Sequence, residues 1–83
     1  MYSIEFSKIA EKQFDKLEKS IQIRIVSRLE RCRIRPYAYV KKLVASPYFS
    51  LRVGDYKVIL NIIENKLIIF VIQLGHRRDI YQK

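Results

Sequence analysis

The sequence predicts an α+β domain in which two N-terminal helices pack on one face of a small, mainly antiparallel β-sheet. Three observations carry this. Apolar residues recur at helical spacing through the first third of the chain, and residues 48–74 alternate as strands do. The pair Gly54-Asp55 sits between two such runs, in "LRVGDYKVIL", and suits a two-residue hairpin loop whose first central position needs φ > 0. Connections this short cannot hold a crossover, so neighbouring strands run antiparallel. Eighty-three residues make a single domain, 1–83, and two helices in a domain of that size cover only one face of the sheet.

The elements follow in order. "MYSIEF" places Tyr2, Ile4 and Phe6 on one side and reads as a short strand. Ser7 is suited to cap the helix "KIAEKQFDKLEK", whose apolar side is Ile9, Ala10, Phe14 and Leu17. A second helix restarts at Ser20 and ends before Pro36, because the residue preceding a proline avoids the α region. Its buried stripe is Ile21, Ile25, Leu29 and Cys32. Cys32 is the only cysteine, which excludes an internal disulfide and fits a small core residue. "RPYAYVKKLVASP" is a loop with room for a short edge strand. Three strands then follow, near Tyr48–Val53, Tyr56–Ile63 and Lys66–Leu74, with Glu64-Asn65 as the second turn. The tail "GHRRDIYQK" is open between a short final strand and irregular chain.

This reading faces Phe49, Leu51, Val53, Val58, Leu60, Ile62, Leu67, Ile69 and Val71 toward the helices. The open face then carries Tyr48, Ser50, Arg52, Lys57, Ile59, Asn61, Ile63, Ile68, Phe70 and Ile72. Its uncovered Ile59, Phe70 and Ile72 point to a protein partner or a dimer.

Seventeen Lys and Arg against eight Asp and Glu give a net charge of +9, which suits a polyanionic partner. Arg24, Arg28, Arg31 and Arg35, spaced four, three and four, fall on one side of the second helix. That stripe is either a solvated surface or a phosphate track without sequence readout. No apolar run reaches the ~20 residues of a membrane span. The N-terminus has neither the charged start nor the apolar stretch of a signal peptide, so the expected location is cytoplasmic, with no membrane role.

Most catalytic constellations are missing. Gly54 and Gly75 are isolated, His76 is the only histidine and has no cysteine partner for zinc, and the eight acids form no pair in equivalent positions. No metal or cofactor is expected. What remains is a cluster of cations and phenols. With Gly54-Asp55 as the loop, Arg52 lies opposite Lys57, an unfavourable pairing of like charges. The second turn puts Lys57 opposite Ile72, so the chain beyond that strand brings His76, Arg77, Arg78 and Tyr81 nearby. Cations gathered in this way oppose one another unless an anion is bound.

"SPYFSLRVGDYKVIL", followed by an apolar strand and "LGHRRDIY", resembles the RelE/ParE superfamily of toxins from toxin–antitoxin pairs, over essentially the whole chain and closer to its RelE-type members. The resemblance implies a RelE-like fold and a ribosome-dependent endoribonuclease. Such a toxin enters the ribosomal A site and cuts mRNA there by attack of a 2′-hydroxyl on the adjacent phosphate. It also implies a RelB-like antitoxin as partner. By position, Tyr81 matches the tyrosine proposed as general base, and Arg77 the arginine proposed to stabilise the transition state or assist the leaving group. Lys57 stands where the family has a second arginine, keeping the charge but losing the bidentate fork. The two lysines that well-known RelE enzymes carry before the hairpin are Tyr48 and Ser50 here. Arg52, Lys41 and Lys42 are the candidates to replace that charge, and Tyr48 a candidate to stack on a base. Arg78, Arg24, Arg28 and Arg31 complete the expected RNA- or ribosome-binding set. Two alternatives remain: a ParE-like inhibitor of DNA gyrase without nuclease chemistry, and a plain basic RNA-binding module.

Overall fold

A computed structural model describes residues 1–80. Strand β1 (Ser3–Phe6) leads through Ser7 into helix α1 (Lys8–Asp15), and α2 (Lys19–Cys32) follows. A 3-10 turn over Pro36–Ala38 precedes β2 (Lys41–Lys42), β3 (Phe49–Val53), β4 (Tyr56–Ile63) and β5 (Ile68–His76), and α3 (Arg77–Ile80) follows β5. The five strands form one sheet in the order β1-β5-β4-β3-β2. Only β1, which pairs with β5, runs parallel to its neighbour; the rest is antiparallel, as expected. Among the described residues no helix is long and apolar enough to cross a membrane.

The core lies between the helices and one sheet face. Ala10, Ile25, Leu29 and Cys32 from the helices meet Leu51, Val53, Val58, Leu60, Ile62, Ile69, Val71 and Leu74. Burial raises the pKa of the Cys32 thiol, against the opposing pull of Arg28, so the side chain acts as a small apolar filler. Ile21 and Phe49 are only partly buried, while Ile9 (63% exposed) points outward. Both helices are shorter than their patterns suggest. α1 stops at Asp15, and α2 begins at Lys19 with Glu18, not Ser20, at its N-cap. α2 ends at Cys32, three residues short of the proline boundary, so Arg35 falls outside it.

The first hairpin forms as Gly54 dictates. Gly54 has φ +60° and Asp55 keeps a negative φ, while Val53 pairs with Tyr56 and Arg52 with Lys57. The positive φ is what calls for glycine; a Cβ at residue 54 would lie 2.7 Å from a guanidinium nitrogen of Arg24, but that side-chain end is exposed and can move aside.

The second connection is longer than Glu64-Asn65. Glu64–Lys66 make a 3-10 turn, and Leu67 adopts a left-handed conformation with φ 55°, so Leu67 leaves the core face and is half exposed. Ile63 therefore pairs with Ile68. A bulge follows: Leu60 pairs with Val71 but Ile59 with Gln73, which leaves Ile72 as an extra residue. Together the two shifts place Lys57 opposite Gly75 rather than Ile72.

The bulge reverses which side chains of β5 face the helices, since strand side chains alternate with a period of two. Ile69 and Val71 point inward before it, and Leu74 does so after it. Ser7 holds this kink. Its hydroxyl donates to the Ile72 carbonyl (2.7 Å) and accepts from the Ala10 N–H (3.0 Å) as the α1 cap. One turn further on, Gln13 Oε1 accepts from the Leu74 N–H at 2.7 Å. Side chains of α1 thus continue, along β5, the edge that β1 stops covering at Val71. A Ser7→Ala variant removes a cap and the partner of a bulge carbonyl. Its urea unfolding should show a loss of about 1–3 kcal/mol.

Candidate functional site

The open sheet face is not flat. Opposed residues share a face, so Lys41, Ser50, Ile59 and Gln73 form one row and Arg52, Lys57 and Gly75 the next. The segment before β2 folds over these rows and closes a cleft of about 430 Å³, lined by Ala38, Tyr39, Val40, Lys41, Ser50, Arg52, Lys57 and Arg77. Four of the eight are cations and none is an acid. Ser50 (9% exposed) and Lys57 (7%) are buried, while Arg52 is open to solvent and reaches the Gly54 carbonyl through Nε at 3.4 Å.

Two devices set the walls. On one side the Arg77 N–H donates to the Asp55 carbonyl at 2.8 Å, tying the end of β5 to the hairpin loop. On the other, Pro36 is buried, and Tyr37 packs edge-on against Phe49 with ring centroids 5.6 Å apart. The Tyr37 hydroxyl donates to Glu64 at 2.6 Å, a bond that pushes its pKa up to about 12 and keeps it a donor at neutral pH. Val40 packs against the core beside them. These contacts leave Tyr39 and Lys41 to form the cleft wall.

The described lining of the cleft is therefore strongly cationic, with a buried ammonium at its floor and two guanidinium groups and a second lysine at its rim, a setting that favours an anion. A family model for the ParE toxin of type II toxin–antitoxin systems matches residues 4–81. The chain belongs to the RelE/ParE superfamily of toxins. A RelE-like toxin protein of Escherichia coli is 31% identical over 85 residues, which span 96% of this chain and 90% of that protein. A chain of the intact E. coli RelBE toxin–antitoxin complex superposes with a TM-score of 0.80 at 26% identity, over 92% of this chain and 96% of that one. The RelBE2 complex of Mycobacterium tuberculosis gives 0.81 at 22% identity, covering 92% and 91%, a likeness of fold.

Within this RelE/ParE toxin, the structure brings together Lys41, Arg52, Lys57 and Arg77 of the residues singled out from the sequence. Tyr81 lies outside the described residues. Lys41 is the register partner of Ser50, so its charge stands beside one of the two positions that lack a family lysine. Lys42 does not join it. Its ammonium lies 6.0 Å from the Phe49 ring centroid, on the helix-facing side, as alternation along a strand requires. Arg78 is exposed and its N–H donates to His76 Nδ1. The bulge also takes His76 out of the cluster, because His76 pairs with Tyr56 on the helix side, their rings 5.4 Å apart. Of the tail, Gly75 and His76 finish β5 and Arg77–Ile80 form helix α3, while residues 81–83 lie outside the described residues.

Arg24, Arg28 and Arg31 belong to the helix layer and do not line the cleft. Arg28 is half-buried and donates to the Arg52 carbonyl at 3.1 Å, whereas Arg24 and Arg31 are exposed. Ile59, expected on an uncovered patch, is 7% exposed because it sits in the central strand between Ser50 and Gln73; Phe70 and Ile72 are half-buried. An exposed apolar patch lies instead on α2, at Ile23 (60%) and Val26 (43%), beside Phe14. Sequence reasoning missed Tyr39, whose place on the cleft wall follows from the Tyr37 anchor two residues earlier. The one available signal was the alternation of Tyr37 and Tyr39.

Proposed function

We propose that this toxin is a ribosome-dependent mRNA endoribonuclease that cuts the codon in the ribosomal A site and so inhibits translation in the cytoplasm. The observation that supports the reading is the cleft whose described lining gathers Lys41, Arg52, Lys57 and Arg77. In the reaction, the 2′-oxygen of one nucleotide bonds to the adjacent phosphorus and the bond from phosphorus to the 5′-oxygen breaks. The 2′-hydroxyl proton passes to a base, and the leaving oxygen takes up a proton. A 2′,3′-cyclic phosphate and a 5′-hydroxyl end result. The nucleophile comes from the substrate, so the chemistry calls for no metal or cofactor.

The pentacoordinate phosphate gains negative charge, and cations already fixed around it stabilise it without reorganising. Lys57 at the floor and Arg77 at the wall are the residues assigned this role. Lys41, beside Ser50, supplies charge where the family lysines are replaced. Tyr81 is the proposed base. An ordinary phenol, with a pKa of about 10, is a poor base at neutral pH, and neighbouring cations favour its phenolate. Arg52, Arg78 and the arginines of α2 are assigned to the backbone of mRNA or ribosomal RNA.

The test is incubation of purified toxin with ribosomes stalled on a defined mRNA. A cut within the A-site codon, a 5′-hydroxyl end, and no cut in the same mRNA without ribosomes are the expected results. The match to a ParE model favours a second reading, inhibition of DNA gyrase by protein binding. Intact mRNA together with blocked gyrase supercoiling would replace the first reading with the second.

The partner proposed for the toxin is a RelB-like antitoxin, a type of complex seen in the structures it resembles. A segment both acidic and apolar suits the surface where Ile23 and Val26 adjoin Arg24. Hydrogen exchange with and without antitoxin should show protection over α2, the open sheet face or the tail. Protection confined to other surfaces would refute this arrangement.

A further inference from the structure

Four cations account for the phosphate side of the cleft, but an RNA nucleotide also presents a flat apolar base. Of the described residues lining the cleft, only Tyr39 is aromatic. Three other described tyrosines near the sheet are committed or displaced: the Tyr37 ring packs on Phe49 with its hydroxyl on Glu64, the Tyr56 ring packs on His76, and Tyr48 does not line the cleft. Tyr39 keeps 43% of its surface exposed, and its backbone is held by the turn before it and by Val40, which packs into the core after it. An exposed ring on a held stretch of backbone, beside the cations of the cleft, is placed to stack on an arriving base.

We propose that Tyr39 stacks on a nucleobase of the bound RNA and thereby sets which phosphate meets Lys57 and Arg77. This rests on the ribonuclease reading and adds a base-recognition element to it. Stacking requires the ring and not the hydroxyl, so the substitutions separate the two. Tyr39→Phe should cleave within about twofold of the parent. Tyr39→Leu keeps an apolar side chain without a π-face, and its kcat/KM for A-site cleavage should fall about 5- to 150-fold, the range of one lost base stack. The loss should appear mainly in KM, with cuts spread to neighbouring phosphates and the melting temperature unchanged.

A binding measurement removes the dependence on turnover. Ribosomes carry 2-aminopurine in an A-site codon made uncleavable by 2′-deoxy substitution, and fluorescence is followed as toxin is added. Quenching by the parent and Tyr39→Phe, lost in Tyr39→Leu, is expected. Equal quenching and cleavage by Tyr39→Leu, or a Tyr39→Phe as impaired as Tyr39→Leu, overturns the role of Tyr39 while leaving the ribonuclease reading intact. A parent that neither quenches nor cleaves overturns that reading and this proposal with it.

Discussion

Arg77→Ala should abolish growth arrest and reduce single-turnover mRNA cleavage on ribosomes by at least about 10²–10³-fold, the size typical of removing one preorganised donor to a developing charge. The half-buried Arg77 lines the cleft with buried Lys57 and would have to balance charge on the phosphate as the fifth oxygen bonds. The same substitution should leave the fold intact. One tie of residue 77 to the hairpin is its backbone N–H on the Asp55 carbonyl, which alanine retains. An unchanged unfolding midpoint alongside lost cleavage is therefore the expected pair of results. Tyr81→Phe should also slow cleavage, less completely if another group can take the proton. Double variants with Lys57 should fall short of the summed effects, since groups acting on one phosphate are not independent. If Arg77→Ala and Tyr81→Phe both arrest growth as the parent does, toxicity arises elsewhere.

Leu60→Ala and Ile69→Ala should each cost about 2–5 kcal/mol, read as a lower urea midpoint at constant slope. Both side chains are fully buried. Leu60 lies in the central strand between Phe49 and Val71, and Ile69 lies in β5 between Ile4 and Ile62. A domain of this length has a total stability of only about 4–12 kcal/mol, so either variant should melt well below the parent, by about 4–8 °C per kcal/mol. Losses below about 0.5 kcal/mol at both positions would mean that the sheet faces are assigned the wrong way round.

Several features follow from the amino-acid order alone because their causes are local. Gly54 tolerates a positive φ, so the first hairpin closes there and Arg52 meets Lys57 wherever the sheet lies. Ile25, Leu29 and Cys32 recur at helical spacing and are buried as their spacing requires. Three of the four cations of the cleft were legible in the same way, since Arg52 and Lys57 are fixed by the hairpin and Arg77 by the chain that leaves the last strand.

Other features depend on partners far away in the chain, and no short window contains them. The bulge at Ile72 turns His76 away from the cleft and moves the partner of Lys57 to Gly75, and its carbonyl is satisfied by Ser7, 65 residues earlier. Tyr39 reaches the cleft wall because Tyr37 is held by Phe49 and by Glu64, 27 residues on. Lys41 and Lys42 are adjacent and chemically alike, yet only Lys41 faces the site, a choice made by the register of a two-residue strand against β3. Patterning by periods of 2 and 3.6 determined which residues could form the core and the hairpin. The tertiary structure decided which way each strand end pointed, because a single extra residue in a strand reverses its faces and only a distant hydrogen bond holds that residue in place.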